Sequence, residues 1–397
     1  MRVLLLSNVN YAGAGNYSAW QSVSGYLSAI ADSNLSITAA ISITGEQAKY
    51  LLPSGINVRR VGRPLPGILG DANLGYLPSI LSVWHETASM HDVIHHYVYN
   101  IRGMNSVDIL GLLRMTRGKP LVVGPAELPH SYDVEDLQLY SGDRMGRRKQ
   151  FELTRKVVKL LRPLQSELAK ISLANCAELV AVNEFTAAAY RTFFGRQLEV
   201  VVIPHGIWLN NYQFSTKPGR HSVLMVGNLI KRKGFQTAME AVSEAKKVIP
   251  DISLTIVGEG PGKDSLLRLA KKLSIDSSTT IHAWLPRDTL RDLFSSCGLF
   301  CHASYSEGYS HTIVEAMASG RPIVCTNIIG SSGMVESGVN GLVVPPHDKA
   351  SMAQAIVKIL SDADLASKMG MASLRSATRY DWHTVANLYS QVYERLA

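Results

Sequence analysis

The 397-residue sequence predicts an α/β protein made of two doubly wound, Rossmann-like parallel-sheet domains. Three observations carry that expectation. Short apolar runs alternate with helical patterns in two successive series, as parallel sheets flanked by helices require. Between the series, the stretch holding Pro204, Gly206, Pro218 and Gly219 breaks both periodicities and reads as a linker. Residues 298–328 form one strand, loop, helix, strand unit, with its loop at the strand's C-terminal end, where open α/β sheets take ligands.

Composition narrows the class. At 46% hydrophobic residues the chain can fill a core in each domain. Apolar runs such as Val3 to Leu6 fall far below the roughly 18 residues of a membrane span, and the first is too short for a signal peptide. A cytoplasmic protein is expected. Cys176, Cys297, Cys301 and Cys325 stand singly in apolar surroundings without metal-ligand spacing, so neither a disulfide nor a zinc site is expected. The net charge of +8 points to an anionic partner. Most of it lies in residues 144–162, where Arg144, Arg147, Arg148, Lys149, Arg155, Lys156, Lys159 and Arg162 face one acid, Glu152.

The first series of strands is predicted at Val3–Leu6, Ile37–Ile43, Val58–Val61, Val93–Ile94, Leu121–Val123, Leu179–Val182 and Val200–Ile203. After the first strand, Gly13 and Gly15 precede a helix and would let backbone approach a phosphate. Ser18 replaces the third glycine of a dinucleotide fingerprint, and Thr44 and Gly45 stand where its acid would follow the second strand. A nicotinamide site is therefore not expected. His95 and His96 sit on a buried strand, where packed histidines outnumber catalytic ones. Just past the next strand, on the side where open α/β sheets take ligands, Glu127 and His130 are rival candidates for a polar role in the crevice. The basic segment has an apolar side at Phe151, Val157, Val158, Leu160, Leu161 and Leu164, interrupted at Pro163. It reads either as a helix for an anionic membrane surface or as a solvated helix.

In the second series, a strand ends at Val226–Gly227, and Asn228, Lys231, Arg232 and Lys233 lead to a helix starting near Gly234. Cations beside a helix N-terminus suit a diphosphate. Gly258, Gly260 and Gly262 make the next turn, and a strand follows at Ile281 to Ala283. Asp362 and Asp364 form a literal Asp-x-Asp between two helical stretches, which reads as helix capping rather than a metal site. Trp382, Val385, Leu388, Tyr389, Val392 and Tyr393 define one apolar face of a last helix.

Within the 298–328 unit, Glu307 lies in the loop and Glu315 inside the helix, so both carboxylates can face one crevice. Carboxylates accept hydrogen bonds from sugar hydroxyls, and the amides of Gly308, Tyr309, Ser310, His311 and Thr312 suit an anion or a sugar oxygen. Together with Ser304, Ala316, Met317, Ala318, Gly320 and Pro322, this stretch closely resembles the donor-site motif of the retaining GT-B glycosyltransferases of family 4. The likeness is strongest over residues 203–397.

That resemblance implies a retaining glycosyltransferase that uses a UDP- or GDP-linked sugar and a sugar or lipid-linked acceptor. It implies no metal and no cofactor, and nucleic acid is not expected because the sequence has no recognised binding module and only one basic helix. The GT-B layout would place residues 1–203 on the acceptor side, 204–220 as the linker, 221–380 on the donor side, and 381–397 as a helix crossing back to the N-terminal domain. The two domains would face a cleft. Glu307 would reach the donor sugar, Glu315 the ribose and Lys233 the diphosphate, with Gly13, Gly15, Gly227, Asn228, Arg232 and Gly258 lining the donor site and His130 acting on the acceptor. Asn228 departs from the family's arginine, with Arg232 as its expected substitute. The departure keeps a catalytically silent sugar-nucleotide-binding subunit in view, beside an epimerase or phosphorylase of the same fold.

Overall fold

The computed structural model describes residues 1–11, 17–31, 33–43, 56–61, 85, 88–102, 118–127, 167, 171, 173–194, 198–215 and 219–397. They fall into two compact units. The described residues up to Ile207, with Tyr380–Ala397, form the first, and Trp208–Arg379 form the second.

The first unit holds a seven-stranded sheet of order β3-β2-β1-β4-β5-β6-β7. Its strands are β1 (Arg2–Tyr11), β2 (Ser36–Ile43), β3 (Asn57–Val61), β4 (Val93–Arg102), β5 (Leu121–Glu127), β6 (Glu178–Ala181) and β7 (Val200–Val202). Every neighbouring pair is parallel. The seven predicted stretches thus become seven strands: the inner ones are mostly apolar, as a parallel strand covered on both faces needs, and the edge strand β3 carries Arg59 and Arg60. Val3, Leu4, Leu5 and Leu6 are fully buried, and helix α1 (Tyr17–Ala31) covers the sheet with Val23, Tyr26, Leu27 and Ile30. Helix α2 (Glu184–Phe194) lies between β6 and β7 in the chain.

The second unit repeats the plan with six parallel strands in the order β10-β9-β8-β11-β12-β13. They are β8 (Ser222–Val226), β9 (Ser253–Val257), β10 (Thr279–His282), β11 (Leu299–His302), β12 (Ile323–Thr326) and β13 (Gly341–Val344). The helices are α3 (Phe235–Lys246), α4 (Lys263–Lys272), α5 (Arg287–Ser296), α6 (His311–Ala318), α7 (Lys349–Leu360) and α8 (Ala363–Ala377). Helix α3 buries Phe235, Ala238, Met239, Val242 and Ala245, the spacing of a single apolar face. One core joins that face to Met225, Leu254, Ile256, Cys301, Val324, Met352 and Ile356. Burial pushes the thiols of Cys297, Cys301 and Cys325 up to about 12, which suits inert packing groups.

Strand order reverses at β1/β4 in the first sheet and at β8/β11 in the second. Beside such a reversal the connecting loops diverge and open a crevice.

The last helix, α9 (Trp382–Leu396), belongs to the first unit. It packs on α1, and its Arg395 Nε donates to the buried Glu178 carboxylate at 2.9 Å. Trp382 lies against Gly25 and Gly206, where an added Cβ would come within 2.2 and 2.4 Å of the indole. Asp362 accepts from the Leu365 amide at 2.9 Å and caps α8, as the Asp-x-Asp reading requires.

Candidate functional site

The loops after β8 and β11 meet at the second reversal point. After β8 the chain runs through Gly227 and Asn228 into a single 3-10 turn, Lys231–Lys233. Gly234 ends that turn with φ 67°, a left-handed conformation natural to glycine. A Cβ there would stand 1.9 Å from the Ala303 carbonyl oxygen. The turn that presents Lys233 is therefore locked against the chain just past β11. Gly227 and Gly258 end the neighbouring strands β8 and β9, with backbone close against backbone.

Lys233 Nζ donates to Glu307 Oε1 at 2.5 Å, with the lysine side chain 17% exposed and the glutamate 9%. Ser304 Oγ donates to the same oxygen at 2.5 Å, and His302 Nε2 lies 3.1 Å from it. Burial by itself would raise the Glu307 carboxyl. Attraction to Lys233, the His302 hydrogen bond and Arg232 outweigh it and hold the group well below the usual carboxylate range. Glu307 is therefore an anion at neutral pH.

Arg232 Nη1 donates to the Ser306 carbonyl at 2.6 Å, and the Tyr305 amide donates to the Arg232 carbonyl at 2.8 Å. The guanidinium expected to stand in for the missing arginine thus braces the loop that carries Glu307. Asn228 is half-buried and uncharged, which leaves Lys233 as the cation held against the carboxylate.

Glu315, on α6, has a different set of partners. Tyr212 Oη donates to its Oε1 at 2.9 Å and Arg287 Nη1 at 2.8 Å. Burial, then the Glu315 charge, keep the Tyr212 phenol well above its ordinary value. The two glutamates fall into separate hydrogen-bond clusters, one at the mouth of the β11 loop and one inside α6.

Of the loop amides proposed for an anion, Ser310 N–H is committed to the Gly330 carbonyl at 3.1 Å. His311 opens α6, Thr312 lies in its first turn, and Gly308 and Tyr309 are buried beside them. Gly13, Gly15, His130 and the basic segment 144–162 lie outside the described residues. So does the side chain of Glu127. His95 is fully buried in β4, with both ring nitrogens bonded inside the first unit.

Sequence reasoning missed His302, Tyr212, Arg287 and Trp284. Tyr212 stands 103 positions from the carboxylate it meets, so no local pattern announces it. Trp284, in the loop after β10, keeps 48% of its surface exposed three residues before Arg287. Among the described residues, no cluster of three metal-ligating side chains forms, and no helix is long and apolar enough to cross a membrane.

Residues 210–375 match the family described as "Glycosyl transferases group 1". A glycogen synthase of Mycobacterium tuberculosis is 31% identical over 199 residues, which are 49% of this chain and 48% of that one. A D-inositol 3-phosphate glycosyltransferase of Corynebacterium kroppenstedtii is 30% identical over 179 residues, 43% of this chain and 40% of the other. The chain spans about half the length, or less, of these curated relatives. Anabaena HepE, solved in complex with UDP, superposes over 100% of both chains with a TM-score of 0.70 at 17% identity. The chain thus shares its fold with proteins such as HepE, and the match to the glycosyl transferases group 1 model lies within the second unit, which carries Lys233, Glu307 and Glu315.

Proposed function

We propose that this protein is a retaining glycosyltransferase that moves a sugar from a UDP- or GDP-linked donor to a hydroxyl on a sugar or lipid-linked acceptor. The observation that carries the reading is the Lys233–Glu307 pair at the sheet's reversal point, inside a domain matched to this family. A sugar nucleotide brings an anionic diphosphate next to a polyol, and these two side chains are complementary to those two parts. Lys233 meets the charge that builds on the departing diphosphate, a stabilisation that counts for more in a half-buried site than in water. Glu307 accepts from sugar hydroxyls, and Glu315, steadied by Tyr212 and Arg287, accepts from the ribose. The proposal needs no metal. HepE was also solved with UDP-glucose, which supports a uridine-linked donor as the first to try.

A catalytically silent sugar-nucleotide-binding subunit is the second reading, favoured by the neutral Asn228 beside Gly227. Calorimetric titration with UDP, GDP, ADP and dTDP and their hexose conjugates, followed by donor turnover, separates the two. Transfer is expected for one conjugate, and tight binding without turnover would favour the silent subunit. Lys233→Ala is expected to weaken diphosphate binding by about 1.5–3 kcal/mol, and an unchanged Kd would remove the lysine from the site. Repeating the titration with phosphatidylglycerol vesicles tests the eight cations of residues 144–162 as a membrane contact. A protein that stays unbound to vesicles leaves them as solvated charge.

A further inference from the structure

His302 is the last residue of β11, whose other members Leu299, Phe300 and Cys301 are buried and apolar. At 4% exposure an imidazole here costs stability unless its nitrogens are bonded. A carboxylate can only accept, so the 3.1 Å contact to Glu307 places the proton on Nε2. The same N–H lies 3.2 Å from Ser310 Oγ and 3.3 Å from Ser304 Oγ. Nδ1 is buried and has no partner among the described residues.

Two sacrifices accompany this arrangement. Ser310 stands at the N-cap of α6, yet its side chain makes no capping bond and lies against His302 instead. An unbonded Nδ1 is a further cost that a leucine at this strand position would avoid. Both are explained by what the imidazole does to the neighbouring carboxylate. Lys233, Ser304 and His302 all converge on Oε1, while Oε2 receives no hydrogen bond from the described residues and is not sealed from solvent.

We infer that His302 is a positioning residue for Glu307: it completes the saturation of Oε1 and so reserves Oε2 as the acceptor for a donor-sugar hydroxyl. This rests on the glycosyl-transfer reading and deepens its sugar subsite. Without the Nε2 donor, the carboxylate is held by two partners that follow it as it turns about its last bond, and the two oxygens exchange places.

The test is the gain in affinity that a hexose adds to its nucleoside diphosphate, measured by calorimetry on the full chain for UDP against UDP-glucose and GDP against GDP-mannose. His302→Leu should cut that gain by about tenfold while the Kd of the free diphosphate stays within about twofold. His302→Gln, whose side-chain amide offers a donor near the Nε2 position, should restore most of it. Ser310→Ala should give a smaller loss in the same direction, so the inference stays testable if His302→Leu fails to fold. An unchanged gain in His302→Leu and Ser310→Ala overturns the inference alone. Equal losses for diphosphate and conjugate in every variant make His302 merely structural and also overturn it. A wild-type protein that binds none of the four ligands removes the glycosyl-transfer reading and takes this inference with it.

Discussion

Two histidines occupy matching places in the two sheets, each on the strand just past the reversal of strand order: His95 in β4 and His302 in β11. Both are buried. Their surroundings differ in kind. His95 Nε2 donates to the Gly124 carbonyl at 3.3 Å, so Nδ1 must accept from Tyr393 Oη at 2.6 Å. Tyr393 in turn accepts from Tyr26 Oη at 2.5 Å. Every group in that chain is neutral, and every donor has an acceptor. Burial pulls the His95 imidazole down to about 3 and raises the Tyr393 phenol, so the network stays uncharged over the whole working range. It fastens α9 to the sheet and has no capacity left over.

The His302 cluster is charged and unevenly filled. Three donors crowd one carboxylate oxygen, the other oxygen stays open, and one imidazole nitrogen goes without a partner. A buried polar network that closes on itself specifies a fold. One that keeps unused valence next to a charge is what the proposed contact to a donor-sugar hydroxyl requires.

The contrast can be broken in order of effect. Glu307→Gln, which keeps an acceptor for Lys233 and Ser304, should lower sugar transfer by about 10²–10³-fold, the scale for losing one preorganised electrostatic contact. Near-normal turnover of the donor found by calorimetry would reduce the second cluster to the status of the first. Tyr393→Phe should do the reverse. It leaves Tyr26 Oη and His95 Nδ1 without their shared partner and should cost about 1–3 kcal/mol in urea unfolding, with donor affinity unchanged. A loss of donor binding equal to the loss of stability would erase the distinction between the clusters.

The smallest effect is a pH slope. An unfolded chain protonates His95 near its ordinary 6.5, whereas the folded chain resists until about 3. The His95 contribution is therefore full above about 6.5 and lost progressively as pH falls toward about 3. Glu307, also depressed on folding, keeps its contribution above the ordinary carboxylate range and loses it only as pH falls through its lower folded value. Urea midpoints between about pH 7 and pH 5 should thus decline less steeply in His95→Gln than in the wild type. Parallel slopes would show that His95 is not the group responsible.

The fold was legible because most strands of both sheets are short apolar runs bounded by turn residues and separated by helical patterns, while the edge strands β3 and β10 are more polar. The run at Val93 and Ile94 understated its strand, which continues through polar residues to Arg102, since backbone pairing with β1 and β5 outlasts the apolar stretch. Glu307, Glu315 and Lys233 were legible because their spacing within single strand-loop-helix units encodes their placement. Tyr212, Arg287 and His302 were not. Each meets its carboxylate through chain crossings or strand position that only packing reveals, and the bond from Arg232 to the Ser306 carbonyl likewise has no local signal in the sequence.

The return of α9 reverses the usual relation between synthesis and assembly. Domains generally fold in the order in which they leave the ribosome. Here Trp208–Arg379 holds all the described strands and helices of the later unit, and it is complete while the earlier unit still lacks Trp382, the indole seated on Gly25 and Gly206, and Tyr393, the hydroxyl between Tyr26 and His95. The half that is translated second is finished first. A nascent chain halted between Arg379 and Trp382 therefore carries a complete second unit behind a first unit whose α1 still lacks the packing of α9.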